Sequence, residues 1–285
     1  MITRRRLLAG LAGGGLTSAL FAKDRESRLH VGLELYSLRE AMKRDIPRTL
    51  ARVRRMGFDH VEVPSLLGFT AMEYRGALDQ AGLKASALVA SYDELQNDLP
   101  NVQRSLDALG ARWALLGWIP HGKNFERSDV DRSSKDMNIW GSTLAKSGSK
   151  FAYHPHGYEF QPSPEGTLFD ALAKATDPMF VKFELDTFWI VWPGQDCAAL
   201  MKRFPTRFRL LHLKDLRKGV KTGDLSGSAP AIDSVALGEG VVPLKEVLSI
   251  ARQEQFEDYF IEDESPNADE QIPRSLRYLR EKELL

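Results

Sequence analysis

Two histidines and a glutamate, His154, His156 and Glu159, stand within six residues of one another in the segment FAYHPHGYEF over 151–160. The chain has six histidines in all, so this segment holds a third of them. Three later apolar runs each end on a residue of the same kind: Asp186 in FELDTFW, His212 in LLHLKD and Glu262 in YFIEDE. An imidazole with two or three carboxylates is a donor set for one divalent metal ion (Mn, Mg, Zn or Co). Such an ion neutralises the negative charge that develops on adjacent sugar oxygens when a proton leaves a carbon next to a carbonyl. Carboxylates flanking that carbon can carry the proton. Taken singly, each residue has a structural reading too. Asp186 would cap a turn, His212 would be a satisfied core histidine, and Glu262 would pair with Lys214 or Arg209. Four such residues at the ends of successive strand-like runs need that explanation four times over, so we expect them to meet at one metal.

The elements that must position them can be read from hydrophobic pattern. Short apolar, β-branched or aromatic runs at 31–36, 58–63, 83–89, 112–117, 150–154, 181–186, 208–213 and 258–263 predict eight strands. Amphipathic segments between them, including 45–56, 97–109, 131–147, 167–176, 195–203 and 242–254, predict helices. Gly57, Gly82, Gly110 and Gly148 punctuate helix ends that feed strands. Regular alternation favours parallel strands with right-handed crossovers. Eight units suggest an α/β fold of the closed (β/α)8 TIM-barrel type, with an open doubly wound sheet as the alternative; no glycine-rich dinucleotide or P-loop motif follows any strand. In a barrel, groups at the C-terminal strand ends and the following loops carry the chemistry. The loop at about Arg217 to Gly240, rich in Gly, Ser and Asp, is the longest.

Strand alternation sorts the candidates, because residues two apart share a face. Ala152, His154 and His156 fall together, as do Lys182, Glu184 and Asp186, then Leu210, His212 and Lys214, then Phe260, Glu262 and Glu264. If Phe260 points inward, Glu262 and Glu264 are favoured over Asp263. Glu184 is expected to pair with a lysine inside the barrel and is left out of the site. Trp189 is a candidate wall for a sugar ring, with a core tryptophan as the competing reading. Glu34 and Glu62, near the ends of the first two strands, would bind substrate hydroxyls or join an interior ion pair. Lys214 would orient a hydroxyl or carbonyl, or pair with Asp215 at the surface.

Composition limits the partners. The chain has 285 residues, 43% of them hydrophobic, with 39 basic and 39 acidic side chains. A single barrel of about 250 residues is accommodated, and balanced charge points to neither nucleic acid nor an anionic membrane. Thr3-Arg4-Arg5-Arg6-Leu7-Leu8, followed by an Ala/Gly/Leu run, reads as a twin-arginine signal peptide over 1–22 with cleavage near Ala19 or Ala22, leaving one barrel domain over 23–285. The expected location is therefore periplasmic or otherwise exported. That run falls short of the ~20 strongly apolar residues of a membrane span, and no later stretch is long enough. Cys197 is alone, so no intramolecular disulfide forms, and its helical context suits a buried apolar residue.

In their order and spacing, GLELYSLRE, YHPHGYEF, FELDTFW, LHLKD, LGEGVVP and FIEDE resemble the sugar phosphate isomerase/epimerase family with its xylose isomerase-like barrel, over essentially residues 29–285. The resemblance implies a divalent metal at the barrel mouth, with Asp186, His212 and Glu262 as ligands. At the fifth strand the family's epimerases carry a glutamate, where this chain has His154 with Glu159 five residues on. Either His154 takes the position or Glu159 reaches back to it. Glu159 is favoured, since it would restore both ligand charge and a proton-transfer group, giving Glu159, Glu262 and His154 as the catalytic set. His156, Trp189, Lys214, Glu264 and Glu34 are the expected substrate contacts. Leu88 is a second departure, where many relatives carry a histidine. The implied activity is isomerisation or epimerisation of a sugar, keto-sugar or polyol. A lyase or hydratase on a 3-keto-sugar, a glycoside or an inosose is the alternative, and a noncatalytic periplasmic carbohydrate-binding barrel a further one. An endonuclease would need more histidines and a basic groove. The expected partner is a small-molecule carbohydrate, and self-association into an oligomer is compatible with the sequence.

Overall fold

A computed structural model describes residues 30–164 and 166–285. The leader read over residues 1–22 lies outside the described residues. Eight parallel strands close into a barrel: β1 (Gly32–Glu34), β2 (His60–Val63), β3 (Lys84–Ala90), β4 (Trp113–Leu116), β5 (Lys150–Tyr153), β6 (Val181–Asp186), β7 (Phe208–Leu213) and β8 (Asp258–Ile261). Each strand pairs with its chain neighbours, and β1 closes onto β8 through Gly32 opposite Phe260 and Leu33 opposite Ile261. All eight expected runs form strands, and the closed barrel replaces the open-sheet alternative.

Eight principal helices follow the strands: α1 (Ile46–Met56), α2 (Ala71–Ala81), α3 (Leu99–Leu109), α4 (Arg127–Lys146), α5 (Leu168–Ala175), α6 (Cys197–Arg203), α7 (Leu244–Gln253) and α8 (Ala268–Glu281). Helix α4 starts four residues before the predicted 131, where Glu126 and Asp129 form a reciprocal cap. Helices α1, α2 and α3 stop at Gly57, Gly82 and Gly110, all at positive φ, as their sequence punctuation predicts. Among the described residues no helix is long and apolar enough to cross a membrane.

Alternation along the strands divides the buried side chains into two cores. One lies between strands and helices and holds residues such as Leu33, Val61, Phe151, Phe183 and Leu211. The other fills the barrel interior with Ala87, Trp113, Leu115, Ala152, Leu210 and Phe260. That interior plug is the floor on which the polar strand ends stand. Cys197 is buried as expected.

Candidate metal centre and cleft

Register brings the polar strand ends together. Glu34 lies opposite Glu62, and Asp186 lies opposite His212. In a parallel sheet, residues in register project to the same side, so the inward parity of Ala152, Leu210 and Phe260 also turns His154, His212 and Glu262 inward. Glu262 and Glu264 line the cleft above the barrel. Asp263 instead accepts from Ser265 N at 2.8 Å, away from the cleft, as the parity predicts.

Asp186 divides its two oxygens between two tasks. Oδ1 accepts from the backbone N–H groups of Phe188 at 2.7 Å and Trp189 at 3.0 Å, capping the short helix Thr187–Val191. Oδ2 is buried without a hydrogen-bond partner. It lies 3.8 Å from His212 Nδ1, and 3.9 Å from both His154 Nε2 and Lys214 Nζ. Glu262 Oε2 stands 3.2 Å from His212 Nδ1 on the same side. Asp186, His212 and Glu262 offer donor atoms that all lie within 4.8 Å of one another. His154 Nδ1 is 2.9 Å from Glu184 Oε2. With Nδ1–H donating there, the Nε2 lone pair faces Asp186. An imidazole that gives its other N–H to a carboxylate is the usual orientation of a metal-ligating histidine.

Five buried carboxyls, Glu34, Glu62, Glu184, Asp186 and Glu262, thus gather around the imidazoles of His154 and His212 and the ammonium of Lys214. The unpartnered Asp186 oxygen, the oriented His154 lone pair and this surplus of buried acid together fit a divalent cation held by His154, Asp186, His212 and Glu262. The protonation of the cluster follows from its crowding. Burial raises Asp186 to about 7, with repulsion from Glu262 adding to it and Lys214 opposing. Burial and the neighbouring Glu184 raise Glu62 to about 8. Burial also works against ionising Glu184, yet His212 and His154 hold its carboxyl down at about 2. Burial disfavours the charged form of His212, but Glu184 and Glu62 hold its imidazole well above the usual range.

Three sequence expectations need correction here. Glu159 is fully buried but joins no group of candidate metal donors among the described residues. Its Oε1 takes the Tyr153 hydroxyl and the His156 N–H, and its Oε2 takes the Gly157 N–H at 2.8 Å. Because Tyr153 points to the opposite face of β5 from His154, Glu159 is tied to the outer side of the strand end and clamps the loop. His154 therefore occupies the fifth-strand position. Glu184, expected to pair with a lysine, instead contacts His154 and His212, the latter at 3.2 Å. That contact lies off the N–H axis and leaves His212 Nε2 without a true hydrogen bond. Lys214 is buried rather than at the surface. It contacts Glu262 at 3.2 Å and also Glu264, while Asp215 gathers the N–H groups of Gly238, Gly240 and Val242 and anchors the long loop.

The remaining candidates border one cleft of about 1040 Å³, whose lining includes Glu34, Glu62, His154, His156, Trp189 and Glu264. Trp189 is 5% exposed, and its indole N–H has no acceptor. His156 Nδ1 is 3.3 Å from the carbonyl oxygen of His154. Donation along that contact leaves Nε2 as a lone pair. Burial and the nearby His154 push the His156 imidazole well below its ordinary range, so it is neutral near pH 7. Leu88 takes part in the cleft wall as an apolar surface.

Comparison with known proteins agrees with this architecture. The family profile of the xylose isomerase-like TIM barrel matches residues 50–282. Inosose dehydratase 2 of Bacillus cereus is 27% identical over 154 residues, 50% of this chain and 50% of that protein, so the chain spans about half the length of that relative. A solved sugar phosphate isomerase/epimerase from Parabacteroides distasonis superposes with a TM-score of 0.72 at 23% identity, covering 89% of this chain and 96% of that one. An IolI protein solved with a zinc atom has a TM-score of 0.67 at 17% identity, covering 87% and 96%. The two structural likenesses speak to the fold.

Proposed function

The chain belongs to the xylose isomerase-like TIM-barrel family, and on that premise we propose that it is a metal-dependent dehydratase of a polyhydroxy ketone, a keto-sugar or ketocyclitol. The observation that carries the choice of reaction is the position of Glu159. With that carboxylate clamped to Tyr153 and the loop amides, the pair of flanking glutamates that an epimerase would use is not assembled at the fifth strand. The resemblance to an inosose dehydratase supports the same reading.

A divalent cation held by His154, Asp186, His212 and Glu262 would supply positive charge at the substrate carbonyl oxygen. The neutral imidazole of His156 takes the proton from the carbon next to the carbonyl through Nε2. The C–H electron pair becomes the new C=C bond, and the C–O bond at the next carbon breaks. The departing hydroxyl leaves as water, with a proton from the carboxyl of Glu62, which burial keeps protonated near neutrality. Lys214 holds Glu262 and Glu264 in place, and the free indole N–H of Trp189 binds a substrate hydroxyl.

An isomerase or epimerase is the second reading, and one observation favours it. Glu62 and Glu262 each stand 3.2 Å from opposite nitrogens of His212, so two carboxyls remain on different walls of the cleft. Incubation of the metal-loaded protein with keto-sugars and ketocyclitols in D₂O separates the readings. A product lighter by one water supports the dehydratase. Deuterium at the carbon next to the carbonyl, with no water lost, identifies the isomerase, and absence of both removes the enzymatic proposal. The twin-arginine segment at Arg4, Arg5 and Arg6 supports export of the folded protein.

A further inference from the structure

The cleft is larger than a single reacting sugar ring requires. At about 1040 Å³ it stands at the top of the range of about 300–1,000 Å³ for pockets that enclose drug-sized ligands. Its rim sets large apolar side chains beside polar ones such as Asp93, Glu94 and Asn101. Nine large hydrophobic residues are exposed among the described residues, and four of them, Tyr36, Leu67, Phe69 and Trp118, border this one opening at 37–44% exposure. Apolar surface gathered in this way marks a binding groove rather than the scattered exposure of an ordinary protein surface.

Aromatic rings also connect the floor to the mouth. The Trp189 ring lies 5.3 Å from His156, and His156 lies 5.8 Å from Trp118. Trp118 is held in place despite being 44% exposed. It stacks on His121 at 5.1 Å and meets Tyr158 at 4.5 Å. Gly227 presses on the same pair: at its φ of +71° a Cβ would come within 2.6 Å of Tyr158 and 3.3 Å of Trp118. A rigid aromatic face of this kind gives up little conformational freedom when a ring stacks on it.

We infer that the cleft has two subsites and that its ligand carries two linked rings. The reacting polyhydroxy ketone lies on the floor beside Trp189 and His156. A glycosidically joined second ring, a sugar or an aryl group, stacks on Trp118 at the cleft mouth. The inner assignment rests on the proposed function; the outer one rests on the aromatic mouth alone.

Calorimetric titration of the full protein with methyl β-glucoside and phenyl β-glucoside tests the outer subsite without turnover. Phenyl β-glucoside is expected to bind at least about tenfold more tightly, the equivalent of roughly 1.4 kcal/mol. Trp118→Ala should reduce its affinity to that of the methyl glucoside while leaving the methyl glucoside within about twofold of its original value, and Trp118→Phe should keep most of the preference. Ile139→Ala, at an exposed residue outside the cleft, should change neither. Equal binding of the two glucosides, equal loss of both in Trp118→Ala, or no binding of either at millimolar concentration would overturn the inference. A phenyl preference without reaction in D₂O removes the proposed chemistry and keeps the subsite. Reaction without the preference does the reverse.

Discussion

Replacing Asp186 by asparagine separates its two oxygens. The asparagine side chain is isosteric and keeps Oδ1, which accepts from Phe188 N and Trp189 N, so the cap on Thr187–Val191 survives. At the Oδ2 position it places an amide NH₂, a donor with no lone pair for a cation, where the native oxygen has no hydrogen-bond partner. Loss of one ligand from a set of four should weaken metal binding by more than the 10–100-fold typical of an outer-shell change, on the order of 100-fold or greater. At free metal near 100 times the native Kd, binding stabilises the native protein by about 2.7 kcal/mol and the variant by about 0.4 kcal/mol or less. For a domain of this size that is a melting shift of roughly 5–10 °C against about 1 °C. Calorimetry after chelation and after adding back zinc or manganese reads the shift, and elemental analysis reads occupancy. The metal-free comparison has a definite sign as well. Burial raises the folded pKa of Asp186 to about 7, so ionising it costs stability from its unfolded pKa near 4 upward, and the cost is complete above about 7. Metal-free Asp186→Asn should therefore be at least as stable as the native protein at pH 8, with the two converging as pH falls toward 4. An unchanged metal-induced shift with full occupancy in the variant would refute the ligand assignment.

Glu159→Ala should cost about 2–3 kcal/mol, because it strands the N–H groups of His156 and Gly157 and leaves the Tyr153 hydroxyl with Tyr158 as its remaining partner. Metal content measured on the folded fraction should stay at the native level; a parallel loss of metal would return Glu159 to the ligand set. His156→Gln should lower kcat by roughly 10²–10⁴-fold with bound metal unchanged, and native turnover would exclude it as the base. Gly227→Val should destabilise by about 1–3 kcal/mol, through its positive φ and the 2.6 Å approach to Tyr158; a melting curve identical to the native one would show that the loop yields freely.

The strands illustrate what local pattern can carry. Runs such as VKFELD and FRLLHL combine β-forming residues with an alternation that places Glu184 with Asp186 on one face of their strand, and His212 with Leu210 on one face of theirs, whatever the tertiary partner. The same alternation separates Glu262 and Glu264 from Asp263 correctly, because strand geometry is a property of the local backbone. Glu184 was legible to that extent: parity set it on the face of Asp186. Its partners were not legible, since His154 and His212 come from neighbouring strands, and only the register of the closed barrel sets them against it.

Glu159 marks the other limit. Its spacing from His154 is compatible with a carboxylate reaching back to a metal, and nothing within YHPHGYEF forbids it. The outcome depends on Gly157 at φ 98°, which starts the 3₁₀ turn Tyr158–Phe160 and folds the carboxylate back onto the amides of its own loop. It depends equally on the Tyr153 hydroxyl waiting on the outer face of β5. By itself the sequence determined the barrel, the strand ends and the inward parity of Asp186, His212 and Glu262, because these follow from short-range periodicity and from eight repeated units. Tertiary structure alone decided that His154 stands with them, that Glu184 orients it and that Trp118 walls the mouth. Those relations join residues on different strands and loops, and burial, not spacing, determines which polar atoms must find one another.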